Sequence, residues 1–580
     1  MTMMDIPKKQ RYMLRKSAMW AERSTWISRY QDITRYLLPY AGRYFATDRN
    51  KGDRVFNNIY DSSATTALDI MTAGMMAGMT SPARPWFRLA TPDRDLMEYD
   101  PVRTWLHDVT ELMRTIYAKS NTYNSLHTMY EELGAFATAA SIVEDDFDNV
   151  INHKVLTAGE YAVAANDKGV VDTLVREFEM TLIQIVEKFV YGGNPYSTPD
   201  WPAVSQQVKN DWDAHRNLDK WIPVIHIIEP RHDRDIRQHD AKNMRFASCY
   251  FEPGNDVAND PAGQRFLRES GYRRFPVLAP RWHVRGGDIY GNGPSFRALG
   301  DIKQLQQEQL RKGQAIDYQT KPPLQVPAER KNSQVAVLPG GISYIPTNGQ
   351  NQGVRPLFDV NLDLGALRED IIDVRGRINK CFYADLFLMI SQDNRRMPAT
   401  ATEIAERHEE KLLMLGPVLE RLHNEMLSPK IDLTFSRIVE AGLLPPPPKE
   451  LQGVELKVEF VSTLAQAQKM VGIGALDGYI GRVAQIAQGS GDTSVWDKVN
   501  RDQAIDMYAD MFGVDPSVVV ADDKVAIIRE DRAQAQSQAQ QAAMIPPAAA
   551  AARDLSQADT GGKNALTDVL RQFQGYNAQV

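Results

Sequence analysis

A long apolar stripe with a glycine and a proline in the middle of it limits what this chain can build. Within residues 397–427, MPATATEIAERHEEKLLMLGPVLERLHNEML, the positions Ile404, His408, Leu412, Leu415, Leu419, Leu422 and Met426 step by three or four. That spacing lines them along one helical face. Pro417, next to Gly416, removes a backbone donor inside the pattern and predicts a kinked helix. A helix of this length needs a partner surface along its whole stripe, which suits several domains or one elongated, multi-part subunit.

Length agrees, since 580 residues exceed what one core usually serves and suggest about three to five domains. Sixty-seven basic against seventy-four acidic side chains leave a net charge of −7, so no overall basic excess advertises tight nucleic-acid binding. Cys249 and Cys381 are far apart with no CxxC, which argues against a disulfide framework or a cysteine zinc site and for a reducing cytoplasm. The basic start MTMMDIPKKQRYMLRK lacks an apolar segment behind it, so no signal peptide is expected. Residues 64–80 are the most membrane-like stretch, but they are too short and carry Asp69, glycines and threonines, which predicts a packed small-residue helix.

Along the chain, residues 11–38 read as a helix with Trp26, Tyr30, Ile33 and Leu37 on one face, stopped by Pro39. Asp61-Ser62-Ser63 supplies a cap for the helix over 64–80. Two helices follow in 101–140. Asp167-Lys168-Gly169 then predicts a hairpin turn between VLTAGEYAVAA and VVDTLVREFEM. A helix near 201–219 and strands at 222–228, 275–278 and 282–284 complete a mixed α+β region. Residues 295–318 and 363–382 read as helices flanking a small β unit, with Val335 and Val337, the turn Pro339-Gly340-Gly341, and Ile342 and Tyr344. Beyond Pro445–Pro448, a strand over 454–460 precedes helical stripes to about 530 and an Ala/Gln-rich tract.

Three motifs together resemble one family. They are Pro82-Ala-Arg84-Pro85-Trp86-Phe87, Tyr290-Gly291-Asn292-Gly293-Pro294, and Thr400-Ala-Thr402-Glu403-Ile404-x-x-Arg407 running into Gly416-Pro417. In this order they are similar to the portal, or head-to-tail connector, proteins of short-tailed bacteriophages. The resemblance implies a mostly helical, mixed α+β portal subunit with wing, stem, clip and crown that assembles as a ring, twelve-fold in the family. On that pattern residues 1–285 are the wing region, 286–318 the first stem helix, 319–362 the clip and 363–383 the second stem helix. Residues 384–398 are the channel loop, 399–461 the kinked helix and return wing strand, 462–530 the helical crown and 531–580 a flexible tail. The implied partners are double-stranded DNA passing without sequence specificity, the terminase large subunit, scaffold and major capsid proteins, and tail adaptors. The implied place is the portal vertex of the virion, after synthesis in the host cytoplasm.

No catalytic motif competes strongly with this reading. The sequence has no GxxxxGK[ST] phosphate loop, no GxSxG and no HExxH, and the glycines of 286–293 lack dinucleotide spacing. Neither catalysis nor a cofactor nor a small-molecule substrate is expected. His226, His232, Asp233, Asp235, His239 and Asp240 are the one group with metal-ligand chemistry, which a metal-dependent DNA-processing enzyme would use. Arg231, Arg234 and Arg237 are interleaved with them and favour ordinary ion pairs, so a solvated segment is expected ahead of a partner interface or a metal site. Another structural ring of the head-tail junction is the closer alternative. In the channel loop, Gln392, Asn394, Arg395 and Arg396 could meet phosphates without reading bases, or pair with acids of a neighbouring subunit. On the second stem helix Arg368, Arg375, Arg377 and Lys380 are balanced by Asp363, Glu369, Asp370 and Asp373, which suits ion pairing between subunits.

Overall fold

The computed structural model of the protein describes residues 7–45, 52, 58–93, 96–97, 99–194, 196–215, 217–238, 240–254, 265–320, 324–325, 355–356, 364–392, 415–451, 453, 456–461, 473–491, 493–512, 519–520 and 524–539. The chain forms two compact units, one of residues 1–92, 105–447 and 454–476, the other of residues 93–104, 448–453 and 477–580.

The larger unit is organised on an antiparallel five-stranded sheet. Its strands are β4 (Tyr161–Ala165), β5 (Val171–Thr181), β6 (Trp221–Pro230), β7 (Phe246–Phe251) and β8 (Arg268–Tyr272), adjacent in that order. The expected hairpin is β4–β5, turning where Asn166 accepts from the Lys168 and Val170 amides. β6 is buried on both faces, which explains its nearly continuous apolar run. Ile225 and Ile227 meet the long helix α1 (Lys8–Tyr36) through Tyr12 and Met19. On the other face Ile222 and Val224 pack on Leu182–Val190, a capped turn that widens into a π-helix, and Ile228 packs toward a second sheet. That sheet, order β3-β2-β9, contains β2 (Ala140–Asp146), β3 (Val150–Leu156) and β9 (Val277–Leu278). Residues 282–284, expected as a strand, form none, and the isolated bridge next to them is made by Arg281 with Thr138. The predicted helix over 201–219 is shorter, a 3-10 turn Trp201–Ala203 and a helix Gln206–Asp213.

Helix α2 (Ser63–Met79) buries its small-residue face against α4 (Thr122–Phe136), which follows α3 (Asp100–Lys119). The close approach has a steric basis, because a Cβ on Gly134 would lie 2.1 Å from Met71 and one on Gly74 would lie 2.3 Å from Phe387. No helix among the described residues is long and apolar enough to cross a membrane. Both cysteines are free.

Next come α5 (Gln206–Asp213, above), α6 (Pro294–Thr320), α7 (Leu364–Cys381) and α8 (Ala384–Gln392). Between α6 and α7, short strands β10 (Leu324–Gln325) and β11 (Arg355–Pro356) pair antiparallel. The β unit expected at Val335–Tyr344 lies outside the described residues. Residues 384–392 are helical, which corrects the expectation of a loop starting at Ala384. Leu386 and Phe387 are buried, Phe387 against α2, and that apolar contact stabilises a helix there. The polar remainder, with Asn394, Arg395 and Arg396, lies outside the described residues, as do Thr400, Thr402, Glu403 and Arg407.

Residues 415–422 are helical and continue through a π-helical turn, His423–Leu427, into α9 (Ser428–Glu440). Leu415, Leu419, Leu422 and Met426 are all buried, as their spacing requires. Gly416 and Pro417 fall in the first described turn, so the helix on the N-terminal side of the predicted kink lies outside the described residues. The irregularity that is visible comes later. Pro429 has no amide hydrogen for the carbonyl four residues back, and the widened turn before it takes up the mismatch. β12 (Lys457–Phe460) then pairs with β1 (Phe87–Ala90), Phe87 opposite Phe460.

The smaller unit is helical where described, with α10 (Ile473–Ser490) entering it, a 3-10 turn Thr493–Lys498, α11 (Arg501–Phe512) and a helix over 524–539. Within it Arg529 grips both oxygens of Asp502 at 2.7 Å, and Tyr508 donates to Asp477 at 2.5 Å.

Candidate functional site

The helix pair α6–α7 and the elements that root it bring the sequence motifs together. Arg377 of α7 reaches Asp301 of α6 at 3.1 Å, while Asp370 lies against Glu308, so higher numbers on one helix meet lower numbers on the other and the pair is antiparallel. Ala298, Ile302 and Leu305 are buried on α6, and Ile371, Val374 and Ile378 on α7.

The glycine motif fixes where α6 starts. Tyr290 is buried, and its hydroxyl accepts from the Val163 amide at 3.3 Å. Gly291 donates to Thr138 Oγ1 at 2.9 Å, and a Cβ there would sit 2.2 Å from the Ala137 carbonyl oxygen. A Cβ on Gly293 would sit 2.8 Å from that of Ala137, which is itself left-handed, φ 59°. Gly291 is therefore required by the backbone, and Gly293 by the Ala137 methyl, at the end of α4. Pro294 opens α6 and Ser295 Oγ donates to the Ala135 carbonyl.

Asp61 ties the pair to the α2 entrance. One of its carboxylate oxygens accepts from the Ser63 amide, and the other from Gln309 at 2.8 Å and Arg375 at 2.6 Å. Gln306 Oε1 accepts the Tyr60 and Asp61 amides, and its Nε2 donates to the Asp61 carbonyl. Burial works against the Asp61 charge, but the Ser63 and Arg375 hydrogen bonds outweigh it and hold the carboxyl below its ordinary value. Arg375 and Arg377, expected to pair between subunits, thus have partners within the chain: Asp61 for the first, Asp301 and Asp373 for the second. Among the other charges of that set, Arg368, Glu369, Asp370, Asp373 and Lys380 are exposed on α7, and Asp363 lies outside the described residues.

The aromatic motif sits in the core. Trp86 and Phe87 are buried, with Trp86 stacked on Tyr117 at 5.9 Å, and Arg88 pairs across the ladder with Glu459 at 2.7 Å. Pro82, Arg84 and Pro85 form the turn that leads in, and Arg84 and Pro85 are exposed. Tyr117 faces α9, where Lys430 Nζ lies 4.7 Å from its ring centroid, wholly buried and without a hydrogen-bond partner. Burial drives the Lys430 amine well below its ordinary value.

The glycine motif reaches the same helical segment through a buried ion pair. Arg281 donates to both Glu425 oxygens at 3.2 and 2.6 Å, its amide to one of them at 3.0 Å, and its other contacts are the Gly169 and Ile289 carbonyls. Glu425 belongs to the π-helical turn, so the register change is what aims it. Sequence reasoning missed this pair and Lys430, and it read Asp61 only as part of the cap before α2, without its Gln309 and Arg375 contacts. The only signals were a proline at 429 inside an apolar stripe and an acid two residues before a helix.

The metal-type group does not assemble. His226 is buried in β6, stacked on Tyr250 at 3.7 Å with Nε2 3.0 Å from Ser248 Oγ, whereas Asp233 and Asp235 are in an exposed loop, Asp233 near Lys8. Among the described residues no group of three or more histidine, cysteine or acidic side chains could hold a metal, and His239 lies outside them.

Residues 9–520 match the family described as bacteriophage head to tail connecting protein. The chain belongs to that family. A curated relative named probable portal protein, from Bordetella phage BPP-1, is 54% identical over 556 residues, 96% of each chain. The portal protein of Salmonella phage epsilon15 is 41% identical over 564 residues, 97% of this chain and 98% of the relative. Among solved structures, a chain from the neck of an empty gene transfer agent particle aligns with 72% of this chain and 90% of its own, at a TM-score of 0.32 and 12% identity. That likeness is too low to bear on the fold. The resemblance read from the three motifs is met, and the connector's place is the junction of the phage head and tail.

Proposed function

We propose that this protein is the portal subunit of its phage, a non-enzymatic ring of twelve copies at one capsid vertex through which the genome is packaged and ejected and to which the tail is joined. The observation that carries the reading is the 54% identity, over 96% of both chains, to a protein named as a probable portal. The antiparallel α6–α7 pair, rooted on buried glycine contacts and on Asp61, supports assigning it to the stem, with residues 319–362 as clip. On the same reading residues 1–285 are the wing, 399–461 the kinked helix and return strand, 462–530 the crown and 531–580 the tail. The channel loop then begins after α8, and Asn394, Arg395 and Arg396, with Gln392 at the helix end, contact passing DNA. A ring needs each subunit to offer one face to the next subunit's other face, closing by rotation. The exposed Arg368, Glu369, Asp370 and Lys380 are suited to that contact. Energy for translocation comes from the terminase.

Negative-stain electron microscopy of the purified chain tests the assembly, with a discrete ring around a central channel expected. Co-purification with the terminase large subunit separates a portal from another ring of the head-tail junction. A ring that neither binds terminase nor enters procapsids would refute the portal assignment.

A further inference from the structure

One face of the five-stranded sheet carries a row of polar side chains between two apolar clusters. Arg176 of β5 is directly opposite His226 of β6, His226 opposite Tyr250 of β7, and Tyr250 opposite Arg268 of β8. Cross-strand partners share a face, so the four form a line from the buried centre to an exposed edge. Lys188, from the π-helical turn, lies 5.1 Å from the Tyr250 ring centroid. Lys154 of β3 pairs with Glu144 of β2 at 2.5 Å, and both act electrostatically on Lys188.

We propose that the row Arg176–His226–Tyr250–Arg268, with Lys188 and Lys154, is a binding site for a phosphate-type oxyanion. Charge is the first ground. Of the four cationic side chains, Lys154 has Glu144, and Arg176 has Glu160 at 3.8 Å. Lys188 and Arg268 have no carboxylate within ion-pair distance among the described residues, and the surplus of two charges matches a dianion. The second ground is unmet hydrogen bonding. Arg176 is 8% exposed with Nε unpartnered, and His226 is 0% exposed with Nδ1 unpartnered. The Arg176 Nε–H is a buried donor, costly unless something accepts from it, and His226 donates from Nδ1 in the tautomer whose Nε2 accepts from Ser248 Oγ. Burial, and next the Lys154 charge, push the Lys188 amine down to about 8, which an anion in the row would relieve. The exposed Arg268 leaves one end of the row open to solvent. The site draws on the five-stranded sheet, the π-helical turn and β3 of one chain and is independent of ring assembly.

Titration calorimetry of the full chain with inorganic phosphate tests it. One phosphate per chain is expected, with binding weakened by added salt. Lys188→Met and Arg268→Ala should each lower affinity about tenfold or more, as loss of a charge-assisted bond does. Lys242→Ala, outside the row, should titrate as the parent, and circular dichroism verifies folding of all three. A short DNA duplex that displaces phosphate would identify the nucleic-acid backbone as the source, and one that does not would identify a free oxyanion. Lack of saturation in the parent, or folded Lys188 and Arg268 variants that bind like the parent, would overturn the proposal.

Discussion

Glu425→Ala should be among the most damaging single truncations in the larger unit. The Arg281 side chain is 3% exposed and that of Glu425 17%, so removing the carboxylate leaves a guanidinium buried with two carbonyl acceptors and no counter-charge. The Arg281 amide loses its acceptor as well. Breaking a buried pair from one side costs roughly 3–5 kcal/mol. Replacing both ends by apolar groups, Arg281→Met with Glu425→Ala, should cost less than the sum of the single changes by about 2 kcal/mol or more. Chemical denaturation followed by tryptophan fluorescence gives the values, with Trp282 next to the pair as a local reporter. Protomer concentration must be equal throughout, since assembly adds to apparent stability. A Glu425→Ala cost under about 1 kcal/mol, or strict additivity of the two changes, would show that the pair does not anchor the π-helical turn.

Three further outcomes follow from the same packing. Gly291→Ala drives a methyl into the Ala137 carbonyl and should cost about 3 kcal/mol, whereas Gly300→Ala, in open space on α6, should be neutral or stabilising by up to about 1 kcal/mol in the same denaturation assay. Burial raises the Glu132 carboxyl to about 7 against the hydrogen bonds from Thr157 and Ala158. Its folded value exceeds its unfolded one, so stability falls as pH rises from about 4.5 through 7, by a few kcal/mol in order of magnitude. Glu132→Gln should flatten that slope, as melting temperatures across the window would reveal. Lys430→Met should stabilise the protein at pH 7 by about 1–3 kcal/mol, because it removes a buried amine with no hydrogen-bond partner; a destabilised variant would mean the Tyr117 contact outweighs desolvation.

Local patterns were readable in the sequence where a periodic stripe met one surface. Tyr30, Ile33 and Leu37 of the first stripe are buried, as are Leu415, Leu419, Leu422 and Met426, and the β4–β5 hairpin turns at its Asp167-Lys168-Gly169 signal. Long-range polar contacts were not readable. Arg375 meets Asp61 across 314 positions and Arg281 meets Glu425 across 144, and neither charge is distinguishable in sequence from a solvated one. Residues 384–392 show the opposite error, since a loop inferred by resemblance gave way to Leu386 and Phe387 packing as a helix. The three family motifs were legible because each meets a strict local demand. Trp86 and Phe87 fill a core, Gly291 and Gly293 allow close approach to Ala137, and the helix that runs on from Gly416 and Pro417 buries Leu419, Leu422 and Met426.

The most direct test of the account is the mass of the assembled particle in solution. Mass photometry of the purified chain should give one dominant species near twelve times 65.3 kDa. A stable species at the mass of a single chain, under conditions where the protein is folded, would contradict the claim that it works as a ring.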